Sequence, residues 1–237
     1  MKKIILLISL ISLIVCSASA YPAHNYDISD STLDTTPTAE DAEDDQEAMG
    51  YSGYSDTNRP ASDAYFDFED DAIFFFNGHG LSYDNGVNGG GIVFGSNSLI
   101  IGEYNSNHQP GNSRYYIENY GANALDGVLL AVYLACYSSH DSQYHGNLAW
   151  LTVGKGADVC IGLDESIIES KSCYWSEQFW EHAKDGEKIA DAADDAKNDC
   201  YWQYPYGYHG IDSYQPYVET SGSVEILNPF FLEAYCE

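Results

Sequence analysis

Short apolar runs set in polar, glycine-rich text give this chain its pattern. Residues 72–76, Ala-Ile-Phe-Phe-Phe, form an unbroken apolar run of strand length, as in a strand buried on both faces. Residues 128–135 form a second such run and predict another central strand. Between them, Ile92-Val93-Phe94 and Leu99-Ile100-Ile101 flank Gly95-Ser96-Asn97-Ser98, turn chemistry that predicts a hairpin. Residues 148–153 read as a short helix stopped by Gly154 and Gly156, and residues 158–163 return to strand character. Phe179, Trp180 and Ala183 fall at helical spacing in a segment, 174–184, closed by Gly186. Ile189, Ala192, Ala193 and Ala196 make the apolar face of a further helix. Residues 223–227 are a last candidate strand. Buried strands alternating with helices predict an α/β sandwich with a mostly parallel sheet flanked by helices.

The N-terminal text is different. Lys2 and Lys3 precede an apolar stretch, residues 4–15, and then Ser17-Ala18-Ser19-Ala20, so residues 1–20 read as a cleaved export signal and Tyr21 as the mature start. The stretch is short of the about 20 residues that span a bilayer. Lipidation at Cys16 is the minor alternative, since Val15 stands where a lipobox wants a small residue. No second apolar stretch approaches spanning length, which predicts a secreted or cell-surface protein without membrane insertion after signal removal. Residues 21–50 carry the acidic cluster Glu40-Asp41-Ala42-Glu43-Asp44-Asp45 and few apolar residues, predicting a disordered linker or pro-segment. The folded domain is then expected over residues 51–237.

Charge narrows the partners. With 37 acidic against 9 basic residues, the formal net charge is −28. Such a field repels nucleic acid and anionic membranes and attracts cationic peptides. After the signal, the cysteines are Cys136, Cys160, Cys173, Cys200 and Cys236, an odd number for an oxidising compartment. Four could pair, in three connectivities, leaving one thiol free. Cys160, Cys173, Cys200 and Cys236 are the simplest disulfide partners, with a buried thiol as the alternative for Cys160.

One pair of residues carries chemistry. His79 follows the first central strand after Asn77-Gly78, and Cys136 closes the second. In open α/β sheets, functional groups collect at the carboxyl ends of the strands. If the two strands are parallel neighbours, both side chains emerge at one edge. A thiolate is the nucleophile, and an imidazole beside it favours that form and protonates the departing amine. Gly80 lacks a side chain, so its amide can approach a substrate carbonyl, and the Cys136 amide is the natural second oxyanion donor. His140 and His145 lie just after Cys136, but their spacing fits no common zinc motif, so no metal is expected there. Acidic positions such as Asp191, Asp194 and Asp195 leave calcium open; a solvated helix face is the simpler reading.

An apolar strand ending in Gly-His-Gly, followed by one ending in Ala-Cys, resembles the caspase-like cysteine peptidases, which include gingipains, clostripain, separases and the CHAT domains. His79 precedes Cys136 by 57 residues, close to the ~50 of caspases. The stretches Asn147-Leu148-Ala149, residues 156–162, Phe179-Trp180 and residues 185–196 keep that family's order, so the likeness covers roughly residues 72–200. The resemblance implies a caspase-like three-layer sandwich and a secreted cysteine endopeptidase acting on peptide or protein substrates without a cofactor. It implies His79 and Cys136 as catalytic dyad, and Asp164 in the S1 site favouring Arg or Lys at P1. Two departures stand out. Leu134 occupies a place where several members carry an acid, and no apolar strand–helix unit is evident upstream of Asp67, which leaves room for a reduced N-terminal part. The rival expectation is a non-catalytic caspase-like surface module that binds proteins.

Overall fold

A computed structural model describes residues 21–81, 89–110, 113–204 and 214–218. The expected signal, the candidate strand at 223–227 and Cys236 lie outside the described residues. The main sheet contains β1 (Pro22–Asp27), β2 (Ser52–Thr57), β3 (Ile73–Asn77), β8 (Leu130–Leu134), β9 (Val159–Leu163) and β10 (Tyr214–Val218). Their order is β10-β9-β8-β3-β1-β2; the first five in chain order are parallel and β10 is antiparallel at the edge. The central runs Phe74-Phe75-Phe76 and Ala131-Val132-Tyr133 are wholly buried, because both faces of a parallel sheet are covered.

Three layers result. On one face, α1 (Thr36–Ala48), α4 (Glu169–Lys184) and α5 (Ile189–Gln203) pack Ala42, Trp175, Phe179, Trp180, Ala183 and Ala193 against Ile73, Phe75, Val132 and Ile161. On the other, α2 (Ala61–Asp67), α3 (Leu148–Val153) and a small sheet cover Phe74, Phe76, Ala131 and Tyr133. That small sheet runs β4 (His79–Gly80), β5 (Gly91–Phe94), β6 (Ser98–Ile101) and β7 (Ser113–Tyr116). The expected hairpin is β5–β6, paired antiparallel from Gly91↔Ile101 to Phe94↔Ser98. No described helix is long and apolar enough to cross a membrane.

Two expectations change. Residues 21–50 are not a structureless linker: they supply β1 and α1, so the folded unit starts near Pro22 instead of residue 51 and the early strand–helix unit is present. Its buried groups are polar and paired, which is why no apolar run marks it. Asn25 and Gln46, both fully buried, exchange two amide hydrogen bonds of 2.8 Å each. Asp27 accepts from Thr36 at 2.8 Å and Thr57 at 3.1 Å, while α1 faces inward with Thr38, Ala39, Ala42 and Gln46. The second change concerns disulfides. Cys136, Cys160, Cys173 and Cys200 are all free thiols. Cys160 faces the α2/α3 side of the sheet and Cys200 the α4/α5 side, so the sheet itself separates them.

A buried ion pair gives this N-terminal unit a pH signature. His24 Nδ1 meets Asp71 Oδ1, and Asp71 is buried. Burial pushes the Asp71 carboxyl up to about 6 despite the attraction of His24. Burial also opposes charge on His24, yet its bond to Asp71 and the surrounding acids hold its pKa above the ordinary value. Both groups bind protons more tightly folded than unfolded. Their contribution is complete below about pH 4 and is lost as pH rises through 6 and above. Stability in urea is therefore expected to fall by about 2–3 kcal/mol between pH 4 and 7. Asp71→Asn should flatten that slope; an unchanged slope in the variant would contradict the assignment.

Candidate active site

Strand register brings His79 and Cys136 together. β3 and β8 are parallel neighbours, with Asn77 opposite Leu134, and each candidate lies two residues past that last pair. Side chains alternate along a strand. Asn77 and Leu134 therefore share the face toward α4, where the Gly78 amide also donates to the Leu134 carbonyl at 3.2 Å. His79, Gly78, Asn77, Leu134 and Cys136 line one cavity of about 280 Å³, closed by Thr32 and Leu33, by Ile167 and Ile168 before α4, and by Glu169 and Ser172 in its first turn.

Gly80 is packed against the Cys136 peptide. A Cβ built there would lie 1.8 Å from the Cys136 carbonyl oxygen and 2.7 Å from its nitrogen. Only glycine fits. In β4–β5 the Leu81 amide bonds the Gly91 carbonyl at 3.0 Å, which makes that pair a bonded one. Bonded and non-bonded pairs alternate in antiparallel ladders. Gly80, opposite Ile92, consequently turns its N–H away from β5.

Cys136 is half-buried and its sulfur lies under the loop before α4. Sγ accepts the Ile167 amide at 3.3 Å and donates to the Ile167 carbonyl at 3.5 Å. Burial raises the thiol pKa, with the Ile167 amide opposing. Tyr137, directly after it, has φ 59°, a left-handed conformation costly for a bulky residue. The tight turn is braced below by Ser138, whose hydroxyl donates to the Tyr133 carbonyl at 2.8 Å and accepts the Leu163 amide at 3.0 Å.

Three contributors were not legible in the sequence. Asp30 Oδ2 lies 3.3 Å from His79 Nε2, and Thr32 Oγ1 lies 3.4 Å from the same nitrogen. Asp30 is held well below the usual carboxylate range, at about 2, by the Thr32 hydroxyl and amide and by the Leu33 amide. It is thus a negative charge on the Nε2 side of the His79 ring. The third is Asn77. Ser172 donates to its Oδ1 at 3.0 Å, which fixes the amide, while its Nδ2 is buried without a partner. Asp30 and Thr32 sit in the Ser/Thr/Asp-rich segment that reads as linker, and a lone Asn before Gly reads as a turn; no pattern flags them.

Asp164 does not line the cavity; its carboxylate pairs with His140 Nδ1 at 2.7 Å. The acid that does line it is Glu169. His140 and His145 make no cluster with Cys136: His145 Nδ1 faces the Glu103 carbonyl at 3.2 Å.

Gingipain R, an Arg specific cysteine proteinase, resembles this chain in structure, with a TM-score of 0.59 at 11% identity over 90% of this chain and 50% of its own. Separase in the Saccharomyces cerevisiae separase–securin complex aligns at a TM-score of 0.49 and 13% identity, over 83% of this chain and 12% of its own. The chain thus spans about half the length of gingipain R. No family model and no curated protein sequence matches it. At these identities the likeness defines the fold alone: a caspase-like α/β sandwich.

Proposed function

We propose that this protein is a cysteine endopeptidase of the caspase-like class, exported from the cell. The observation that carries the reading is the register of β3 and β8, which sets His79 and Cys136 side by side at the carboxyl edge and in one cavity. Substrate entering that cavity displaces the Ile167 backbone from Sγ. His79, oriented by Asp30, then takes the thiol proton and returns it to the leaving amine. Sγ attacks the scissile carbonyl to give a thioacyl-enzyme, which water hydrolyses. The amides of Gly80 and Cys136 are the oxyanion donors in this scheme.

Asn77 Nδ2 suits a second substrate carbonyl, being a fixed donor with nothing to bond. Asn77→Leu is expected to lower kcat/KM about 3–10-fold, the worth of one neutral hydrogen bond. An unchanged value would remove Asn77 from the scheme. A basic side chain at P1 is favoured by Glu169, not Asp164. Glu169 also borders a larger cleft of about 690 Å³ between α1 and α4, walled by Asp34, Asp41, Asp44 and Glu177.

The test is a peptide library varied at P1 and incubated with the full chain under reducing conditions. Cleavage after Arg or Lys is expected, absent from Cys136→Ala. Cleavage by the variant would remove Cys136 as the nucleophile, and none by the wild type would favour a non-catalytic binding module.

A further inference from the structure

The corner between α4 and α5, remote from the cavity, gathers a second constellation. Gly186 takes φ 88° and caps α4 through its amide on the Ala183 carbonyl at 3.0 Å. That turn folds the chain back, so the Glu187 amide bonds the His182 carbonyl at 3.2 Å and Glu187 Oε1 lies 3.1 Å from His182 Nδ1. On α5, Asp195 and Asp199 are one helical turn apart and share a face. Asp199 Oδ2 lies 3.1 Å from His182 Nε2. Ligand atoms of His182, Glu187 and Asp195 all fall within 4.8 Å of one another. Glu187 Oε2 is buried without a hydrogen-bond partner, a cost that a cation would relieve.

We propose that His182, Glu187 and Asp195 form a site for a divalent transition ion of the zinc type, with Asp199 orienting the histidine. An Nε2–H donated to Asp199 fixes the tautomer and leaves the Nδ1 lone pair on the Glu187 side, the carboxylate–histidine–metal arrangement. Two ligands bound to one ion at about 2.0–2.2 Å stand roughly 3–3.5 Å apart. The Nδ1–Oε1 separation of 3.1 Å already meets that. Asp195 completes the set by a small closure of an exposed side chain. One imidazole with two carboxylates suits zinc and its neighbours better than calcium, which wants six to eight oxygens. Such an ion ties the α4–α5 turn. It lies 13 residues along α4 from Glu169, roughly 20 Å, so its effect is on stability and not on the reacting groups. The site stands independently of the peptidase reading.

The experiment uses the full chain stripped with chelator and titrated with Zn²⁺ by calorimetry and with Co²⁺ by visible absorption. Cys136→Ser is run beside the wild type, so that metal taken by that thiol is counted apart. One saturable site is expected in both, with Tm raised by about 5–10 °C at a hundredfold excess over Kd. His182→Ala and Glu187→Gln should weaken binding at least about 100-fold, and Asp199→Asn about 10-fold. If His182→Ala loses its circular dichroism, Glu187→Gln decides. Equal binding by wild type and Glu187→Gln, binding that vanishes with Cys136→Ser, or an equal Tm response to Ca²⁺ would overturn the site.

Discussion

Replacing His79 by alanine is expected to lower kcat/KM about 10³-fold or more. Positioned acid–base catalysis is worth about 10²–10⁴, and in the proposed mechanism the same ring also generates the nucleophile. Cys136 is a thiol with its pKa raised by burial, and the Ile167 amide offers its sulfur only a neutral donor. Without the imidazole only neutral backbone amides, those of Ile167 and Cys136, favour the thiolate, and burial outweighs them. Asp30 is a different case. Its carboxylate is 44% exposed and 3.3 Å from Nε2, so water screens the pair. Asp30→Asn should cost only about 2–5-fold, seen in kcat with KM unchanged. Steady-state kinetics on a fluorogenic peptide checks both. A His79→Ala enzyme within tenfold of wild type would remove the dyad.

Gly80→Ala is expected to lose at least about 100-fold in kcat/KM while the fold survives. The added methyl would sit 1.8 Å from the Cys136 carbonyl oxygen, so one of the two backbones must move by more than an ångström. A misplacement of about 1 Å at a reacting group costs on the order of 10²-fold, whereas such overpacking costs about 1–3 kcal/mol of stability. Two readouts separate these effects. Tm should fall by roughly 3–10 °C, and alkylation by iodoacetamide, which needs no oxyanion donors, should slow much less than reaction with a peptidyl substrate. Equal slowing of both would mean that the methyl merely buries the thiol.

The contrast between the two halves of the sheet shows what an amino-acid sequence exposes. β3 and β8 are central, covered on both faces, and built of Phe, Ile, Leu and Val, so hydrophobicity alone marks them and the residues at their ends. β1 is also buried, yet its interior is Asn25, Tyr26 and Asp27, made tolerable by partners that lie far along the chain: Gln46, Asp67, Thr36 and Thr57. Long-range pairing of that kind leaves no local period. The helix α1 hides similarly, since its inner face is alanine, threonine and glutamine and its outer face is acid. Asp30 and Asn77 joined the site through contacts made only on folding. The odd cysteine count pointed to Cys136, but with Cys160, Cys173 and Cys200 also free it singles out no residue; the strand register adds that Cys136 and His79 follow neighbouring strand ends.

A peptidyl electrophile with Arg or Lys at P1, applied under reducing conditions and followed by mass spectrometry, tests the dyad most directly. Stoichiometric labelling of Cys136 in the wild type is predicted, with His79→Ala left unlabelled and Cys160, Cys173 and Cys200 untouched. A folded wild-type protein that never labels, or one that labels equally well without His79, would contradict it.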